Sequence, residues 1–312
     1  MNRMLALLFP GQGSQTVGMG KTLAQQFAVA AQVFAEADAA LGAALSTLCF
    51  EGPEDELKLT MNAQPAILAT SIAALRVLDQ EIGVRPAYVA GHSLGEYTAL
   101  VAAGALTLTD ALRVVRERGR LMQEAVPPGI GTMAALFGLS ADEVTQVCVE
   151  AAQGAVVSPA NLNGGGQVVV AGQVDAVRRA VALAKARGAK RAVELAVSAP
   201  FHCALMAPVA EGLARVLDSV PIHPLTTAVI ANVTAAINQD HAQVKDLLIQ
   251  QITAPVRWEE SMQRLHALGC EAAIEVGPGR VLAGLGKRIT AELPCVSFSE
   301  AKHLAEAREV LV

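Results

Sequence analysis

The chain has 312 residues and a formal charge of −5, with 53% hydrophobic, 17% charged and only 3% aromatic residues, so it can bury a large core of Ala, Val, Leu and Ile in one large domain, or in one large and one small. That balance carries no overall basic signal for nucleic acid or for an anionic membrane. Cysteines at 49, 148, 203, 270 and 295 form no C-x-x-C pair, which speaks against a zinc site or a disulfide framework and points to a reducing, cytoplasmic setting.

In chain order, residues 4–9 form a short apolar run stopped by Pro10-Gly11-Gln12-Gly13, the pattern of a buried parallel strand entering a tight loop. The run is too short for a signal-peptide core. Gly20-Lys21-Thr22 lacks the glycine a phosphate loop needs at position 15, where Gln15 stands. Helical periodicity covers 23–41 and 66–78, and the apolar region 59–75 is interrupted by Asn62, Gln64 and Pro65, so it does not read as a membrane span.

Residues 87–90 predict a strand and 94–103 a helix, and between them stands Gly91-His92-Ser93-Leu94-Gly95. A G-x-S-x-G in a strand-turn-helix context is a nucleophile elbow: glycines relieve the sharp turn, the serine oxygen is exposed, and the helix N-terminus faces developing negative charge. Thr109 and Asp110 are expected to cap a helix reaching 126. On it, Arg118 neighbours Val114, Val115, Leu121 and Met122 and therefore lies on an apolar face, whereas Arg113 and Arg120 neighbour acids: Asp110 and Glu117 for Arg113, Glu117 and Glu124 for Arg120. A cation on a burying face needs a partner, either a distant structural carboxylate or an anionic substrate.

From 132 to 196 the order changes to strand (132–137), helix (141–152), strand (155–161), strand (167–171), helix (174–187) and strand (190–196), the βαββαβ order of a ferredoxin-like unit. Gly129-Ile-Gly131-Thr-Met-Ala134 mimics a dinucleotide fingerprint, but it precedes a strand instead of following one. The loop Asn161-Leu-Asn163-Gly-Gly-Gly166 reads either as a plain hairpin turn or as the lining of a cleft between domains. Beyond Pro200 the pattern predicts a helix opening with Phe201 and His202, a strand at 226–230, a helix at 242–252, a strand at 272–276, a helix through 293 and a last strand at 295–298. The expected fold class is α/β: a large α/β-hydrolase-like domain with a mostly parallel sheet over 1–127 and 199–312, and an inserted ferredoxin-like subdomain over 128–198.

Ser93 needs a base. His92, inside the elbow, is expected to point away from Ser93 and to shape the pocket, while His202 stands at a domain junction where a cleft would lie. His223, His241, His266 and His303 are expected at the surface. Between Ser93 and His202 the aspartates are 110, 142 and 175, each at a helix start where capping accounts for it, so a Ser-His dyad is expected in place of a triad.

Eight pieces then carry a resemblance: Phe9-Pro-Gly-Gln-Gly-Ser-Gln15, Gln64-Pro-Ala66, Gly91-His-Ser-Leu-Gly-Glu96, Arg118-Gly-Arg-Leu-Met-Gln-Glu124, Asn161-Leu-Asn163, Ala199-Pro-Phe-His202, Pro255-Val-Arg-Trp258 and Glu275-Val-Gly-Pro-Gly279. With these in order nearly end to end, the chain resembles the malonyl-CoA:acyl carrier protein transacylases, the acyltransferases of bacterial type II fatty-acid synthesis. The resemblance implies Ser93 as nucleophile, His202 as general base held by the main-chain carbonyl of Gln251, an oxyanion hole from the amides of Gln12 and Leu94, and Arg118 as the clamp on the malonyl carboxylate. His92, Met122, Asn161 and Phe201 join the substrate site. Phe201 resembles the malonyl-selecting form of this segment in polyketide acyltransferases.

The implied partners are malonyl-CoA and an acyl carrier protein, with no metal or redox cofactor, no nucleic acid and no membrane, and the chain is expected to be a monomer. Because such carriers are acidic, Lys185, Arg187, Lys190 and Arg191 on the small unit and Lys287 and Arg288 on the large one are the expected docking residues, although solvated helix ends explain the same pattern. A carrier of a polyketide synthase or of malonate decarboxylase would accept by the same chemistry. A serine thioesterase would use water instead; Arg118 and the missing triad acid stand against it. A non-catalytic relative would be expected to lack Ser93 or His202.

Overall fold

The computed structural model describes residues 3–127, 129–195, 197 and 199–311. Chain order begins with β1 (Leu5–Phe9), α1 (Lys21–Gln26), α2 (Ala28–Leu41), α3 (Leu45–Glu51), α4 (Glu54–Lys58), α5 (Thr60–Ile82), β2 (Tyr88–Gly91), α6 (Leu94–Ala102) and α7 (Leu108–Glu124). It continues with β3 (Gly131–Phe137), α8 (Ala141–Ala152), β4 (Val157–Gly164), β5 (Gln167–Gln173), α9 (Val174–Ala186) and β6 (Arg191–Glu194). The last third adds α10 (Ala207–Asp218), β7 (Ala228–Ile230), β8 (Ile237–Asn238), α11 (His241–Gln251), α12 (Trp258–Ala267), β9 (Ala272–Val276), α13 (Val281–Ile289), β10 (Cys295–Phe298) and α14 (Leu304–Glu309).

Among the described residues, six strands form one sheet in the order β10-β9-β1-β2-β7-β8, parallel except for β8, and four form a separate antiparallel sheet in the order β4-β5-β3-β6. β1 and β9 are buried along their whole length, as continuous apolar runs in a parallel sheet covered on both faces must be. The chain is thus a mixed α/β protein. The antiparallel sheet has its own core, in which Leu136, Val168 and Val170 pack on Val144, Val147, Val177 and Ala180 of α8 and α9. The small sheet is tied to the segment leading into α12, where Leu162 N–H donates to Val256 O at 2.9 Å and Val256 N–H to Ala160 O at 2.9 Å. Among the described residues no helix is long and apolar enough to cross a membrane.

Several expectations need correction. The helix expected over 66–78 runs from Thr60 to Ile82 with Pro65 inside it. Pro65 cannot donate to the Met61 carbonyl, and Arg116 Nη1 of α7 supplies a donor to that oxygen at 3.4 Å. The helix carrying Arg118 is capped by Thr107, not by Thr109 and Asp110; Thr107 Oγ1 accepts from Asp110 N–H at 3.0 Å, and the helix ends at Glu124. Arg120 does pair with Glu117 and Glu124, but Arg113 donates to Ala40 O at 3.1 Å instead of pairing with its own helix.

The strand expected to stop at 161 continues to Gly164, which leaves a tight glycine hairpin turn. Phe201 and His202 do not open a helix. They lie in a turn before a short 3-10 segment, Ala204–Met206, and His202 takes a positive φ of 58°. The helix expected through 293 ends at Ile289, and α3, α4, β8, α12 and α14 are additions. His303 is buried, unlike His223, His241 and His266, which are exposed as expected. Of the expected domain limits, Pro128 and Ser198 lie outside the described residues, as does residue 196 of the last expected small-sheet strand.

Candidate active site

β1 and β2 are neighbours in the centre of the parallel sheet, and the loop after Phe9 and the elbow after Gly91 leave their carboxyl ends side by side. The glycines of the elbow are fixed by contact. A Cβ on Gly91 would sit 2.0 Å from the Gly95 carbonyl, and a Cβ on Gly95 would sit 2.0 Å from the Phe9 carbonyl oxygen. Ser93 itself has φ 53° and ψ −103°, a strained turn that places it at the mouth of α6.

Above these ends lies a cavity of about 580 Å³ between the two sheets. It is lined by Gln12, His92, Ser93, Leu94, Arg118, Met122, Asn161, Phe201 and His202, which brings together every expected substrate-site residue and all of the expected reacting groups except Gln251. Gln251 stands behind the wall. His202 Nε2 is 2.7 Å from Ser93 Oγ, and His202 Nδ1 is 2.8 Å from the main-chain oxygen of Gln251. A carbonyl can only accept, so Nδ1 carries the hydrogen and Nε2 is left free to take the serine proton. Burial, then the nearby Arg118 charge, pushes the His202 pKa down to about 3, and the ring is neutral at neutral pH.

Leu94 is the first residue of α6, so its N–H has no carbonyl partner within the helix. His92 turns its ring into the same cavity, whose wall it was expected to shape. Its Nε2 is 2.9 Å from Asn163 Oδ1, and it leans on Trp258 with ring centroids 5.6 Å apart. Burial lowers its pKa.

Arg118 is 1% exposed. α5 and α7 approach closely at Gly119, where a Cβ would lie 2.6 Å from Met61 Cα, and this brings the guanidinium to Gln64. Nη1 donates to Gln64 Oε1 at 2.8 Å, and Nη2 donates to Gln251 Oε1 at 2.9 Å and to Ser93 Oγ at 3.1 Å. Nε makes no hydrogen bond among the described residues, and the Tyr97 ring lies 5.2 Å below the guanidinium carbon. The partners within hydrogen-bond reach are neutral, so the structural carboxylate contact is absent among the described residues. Glu96 is the nearby acid. Its carboxyl accepts from Gln251 Nε2 at 2.7 Å and from Asn232 N–H at 3.2 Å, and burial pushes its pKa up to about 7.

The sequence reading missed the side-chain roles of Gln64, Glu96, Asn232 and Gln251. Gln64 and Glu96 stood inside quoted motifs without a task, whereas Asn232 carried no signal beyond being one polar residue after an apolar strand. The expected docking cations divide. Arg191 and Gln167 both face Phe137 across the ladder, and Arg288 Nη2 donates to Gln167 Oε1 at 3.4 Å, so Arg191 and Arg288 lie along one edge, with Lys190 packed on Gly138 beside them. Arg187 pairs with Glu150, and Lys185 and Lys287 are exposed. Among the described residues no three His, Cys, Asp or Glu side chains converge as metal ligands would.

A strained serine on a strand-turn-helix, a neutral histidine on its oxygen and the helix-start N–H of Leu94 beside it suit an acyl-transfer site, and residues 6–302 match the family model for an acyl transferase domain. The chain is 48% identical over 305 residues to the malonyl CoA-acyl carrier protein transacylase of Escherichia coli strain K12, covering 98% of this chain and 99% of the relative. It is 49% identical over 308 residues to that of Bacillus subtilis strain 168, covering 98% and 97%. The solved transacylase of Coxiella burnetii superposes with a TM-score of 0.97 at 40% identity, over 100% of this chain and 98% of that one. A malonyl-transacylase solved in complex with its type II PKS acyl-carrier protein gives 0.95 at 46% identity, over 98% and 99%. The chain belongs to the malonyl CoA-acyl carrier protein transacylase family.

Proposed function

We propose that this chain moves a malonyl group from malonyl-CoA to the phosphopantetheine thiol of an acyl carrier protein, supplying fatty-acid elongation, through a malonyl ester on Ser93. The observation that carries the reading is the Arg118 guanidinium, buried within 3.1 Å of Ser93 Oγ and held only by neutral oxygens. A planar cation there can grip the free carboxylate of malonyl at two points, which acetyl cannot offer.

His202 Nε2 takes the Ser93 hydroxyl proton as Oγ attacks the thioester carbon. The negative charge on the former carbonyl oxygen is received by the Gln12 and Leu94 amides. As the C–S bond breaks, the proton on His202 passes to the CoA sulfur, leaving malonyl on Oγ. The carrier thiol then gives its proton to His202 and attacks the ester carbon, and the C–O bond breaks with return of the proton to Ser93. The Gln251 carbonyl keeps the imidazole oriented throughout. No cofactor enters these steps.

In this reading residues 1–127 and 199–312 form an α/β-hydrolase-like domain, and 128–198 form a ferredoxin-like subdomain. The small-sheet strand order β4-β5-β3-β6 with both helices on one core supports the second assignment. The chain acts as a cytoplasmic monomer, and the edge carrying Lys190, Arg191 and Arg288 receives the acidic carrier, with Lys185, Arg187 and Lys287 at its margins. A polyketide carrier is the second candidate acceptor, favoured by the relative solved with such a partner. Competition between fatty-acid and polyketide carrier proteins for the malonylated enzyme, read by intact mass, decides between them: preferential discharge to the fatty-acid carrier supports the reading.

A further inference from the structure

Ser93, on the reading that it is the nucleophile, is held in an unusual backbone conformation. A non-glycine residue at φ 53° and ψ −103° keeps that conformation only when its surroundings over-determine it. Within the elbow, His92 N–H donates to Phe9 O at 3.0 Å and Gly95 N–H to His92 O at 2.9 Å, while the Ser93 carbonyl accepts from Glu96 N–H at 3.1 Å and from Gln251 Nε2 at 3.0 Å. The Gly91 carbonyl and the Ser93 N–H are both taken by a single side chain. Asn232 Oδ1 accepts from Ser93 N–H at 2.7 Å, and Asn232 Nδ2 donates to Gly91 O at 2.7 Å.

Asn232 lies two residues beyond the end of β7, the strand that pairs with β2 through Ala90. Where the β7 backbone has left the ladder, the side-chain amide supplies the acceptor and donor that a further strand residue would have offered. Its orientation is determined, because only one placement of the amide O and N satisfies both contacts. Asn232 is 1% exposed, its N–H donates to Glu96 Oε2 at 3.2 Å and its carbonyl accepts from Arg257 N–H at 3.0 Å, so the residue is fixed at both ends.

We propose that Asn232 is a positioning residue for the nucleophile. It pins the peptide units on either side of His92, holds the strained Ser93 backbone so that Oγ meets His202 Nε2, and occupies the Ser93 N–H. That last contact leaves the Leu94 N–H, one residue on, as the elbow amide open to the oxyanion. Without Asn232 two buried backbone groups lose their partners and the elbow relaxes toward a commoner backbone conformation.

Single-turnover malonylation of the full chain by malonyl-CoA, followed by intact mass, separates chemistry from binding. Asn232→Ala is expected to lower the maximal acylation rate about 100-fold while the half-saturating malonyl-CoA concentration moves by less than about threefold. Asn232→Asp keeps an acceptor for the Ser93 N–H and loses the donor to Gly91, and is expected to lose about tenfold. A maximal rate within about threefold of the parent in either variant, with native circular dichroism, overturns the proposal. If Asn232→Ala does not fold, Asn232→Asp decides alone; if neither folds, the residue is structural and the proposal fails. Ser93→Ala run alongside tests the underlying reading, since an adduct on that variant removes Ser93 as nucleophile whatever Asn232 does.

Discussion

His202 Nδ1 lies 2.8 Å from the main-chain oxygen of Gln251, while the Gln251 side chain reaches in the opposite direction to Arg118, the Ser93 carbonyl and Glu96. One residue therefore holds His202, the proposed base, with its backbone and Arg118, the proposed carboxylate clamp, with its side chain. Truncation separates the two. Gln251→Ala keeps the carbonyl and is expected to lose about tenfold in malonyl loading through a looser Arg118, whereas His202→Ala is expected to lose 10³-fold or thereabouts. Stopped-flow loading on both variants checks this; equal losses would mean that the side chain also carries the base.

Arg118→Ala leaves the pocket without the cation proposed to hold the malonyl carboxylate. Loading from malonyl-CoA is expected to fall about 10³-fold more than loading from acetyl-CoA, measured side by side by intact mass. Equal losses would make the arginine structural.

The pH behaviour follows from two buried groups of opposite sign. His202, held at about 3 by burial and then by Arg118, stays neutral through about pH 5 to 8, so kcat/KM has no acid limb from this base in that range. Arg118→Ala removes one of the depressing charges, and the acid limb is expected to move upward, with burial still holding it below the ordinary histidine value. Glu96 is raised by burial from 4.5 to about 7, so the folded chain binds the extra proton, and the contribution to stability is present below pH 4.5 and lost as pH rises through 7. Glu96→Gln has no such loss. Urea unfolding at pH 5 and pH 8 is expected to show the variant gaining on the parent at the higher pH by up to about 3 kcal/mol. A difference independent of pH would contradict the assignment.

Gly95→Ala forces a Cβ to 2.0 Å from the Phe9 carbonyl oxygen, a backbone atom that cannot swing aside. A stability loss of about 3 kcal/mol or failure to fold is expected by thermal unfolding.

Charge reversal at Arg191 and Arg288, on the shared edge, is expected to raise the KM for carrier protein about tenfold while leaving malonyl loading from CoA unchanged. A transacylation assay with varied carrier concentration reads this.

The element order of the small sheet was legible because its two helices keep an amphipathic period and several of its turns are marked by glycine or a cap, as at the Ser140 capping box. The elbow was legible because steric necessity writes glycine at 91 and 95. α5 was misjudged because Arg116 from another helix repairs what Pro65 breaks, and local sequence carries no trace of that. His202 was found, but its left-handed turn was not, since nothing local announces a positive φ at a histidine. Glu96, Asn232 and Gln251 were silent for a shared reason: each works through contacts to residues 100 or more positions away or to the backbone.

The most direct test of the central claim is intact mass of the chain mixed first with malonyl-CoA and then with phosphopantetheinylated carrier protein. The account predicts one malonyl group on the parent, none on Ser93→Ala, and its full transfer to the carrier thiol. An adduct retained by Ser93→Ala, or release from the parent only as free malonate, would contradict it.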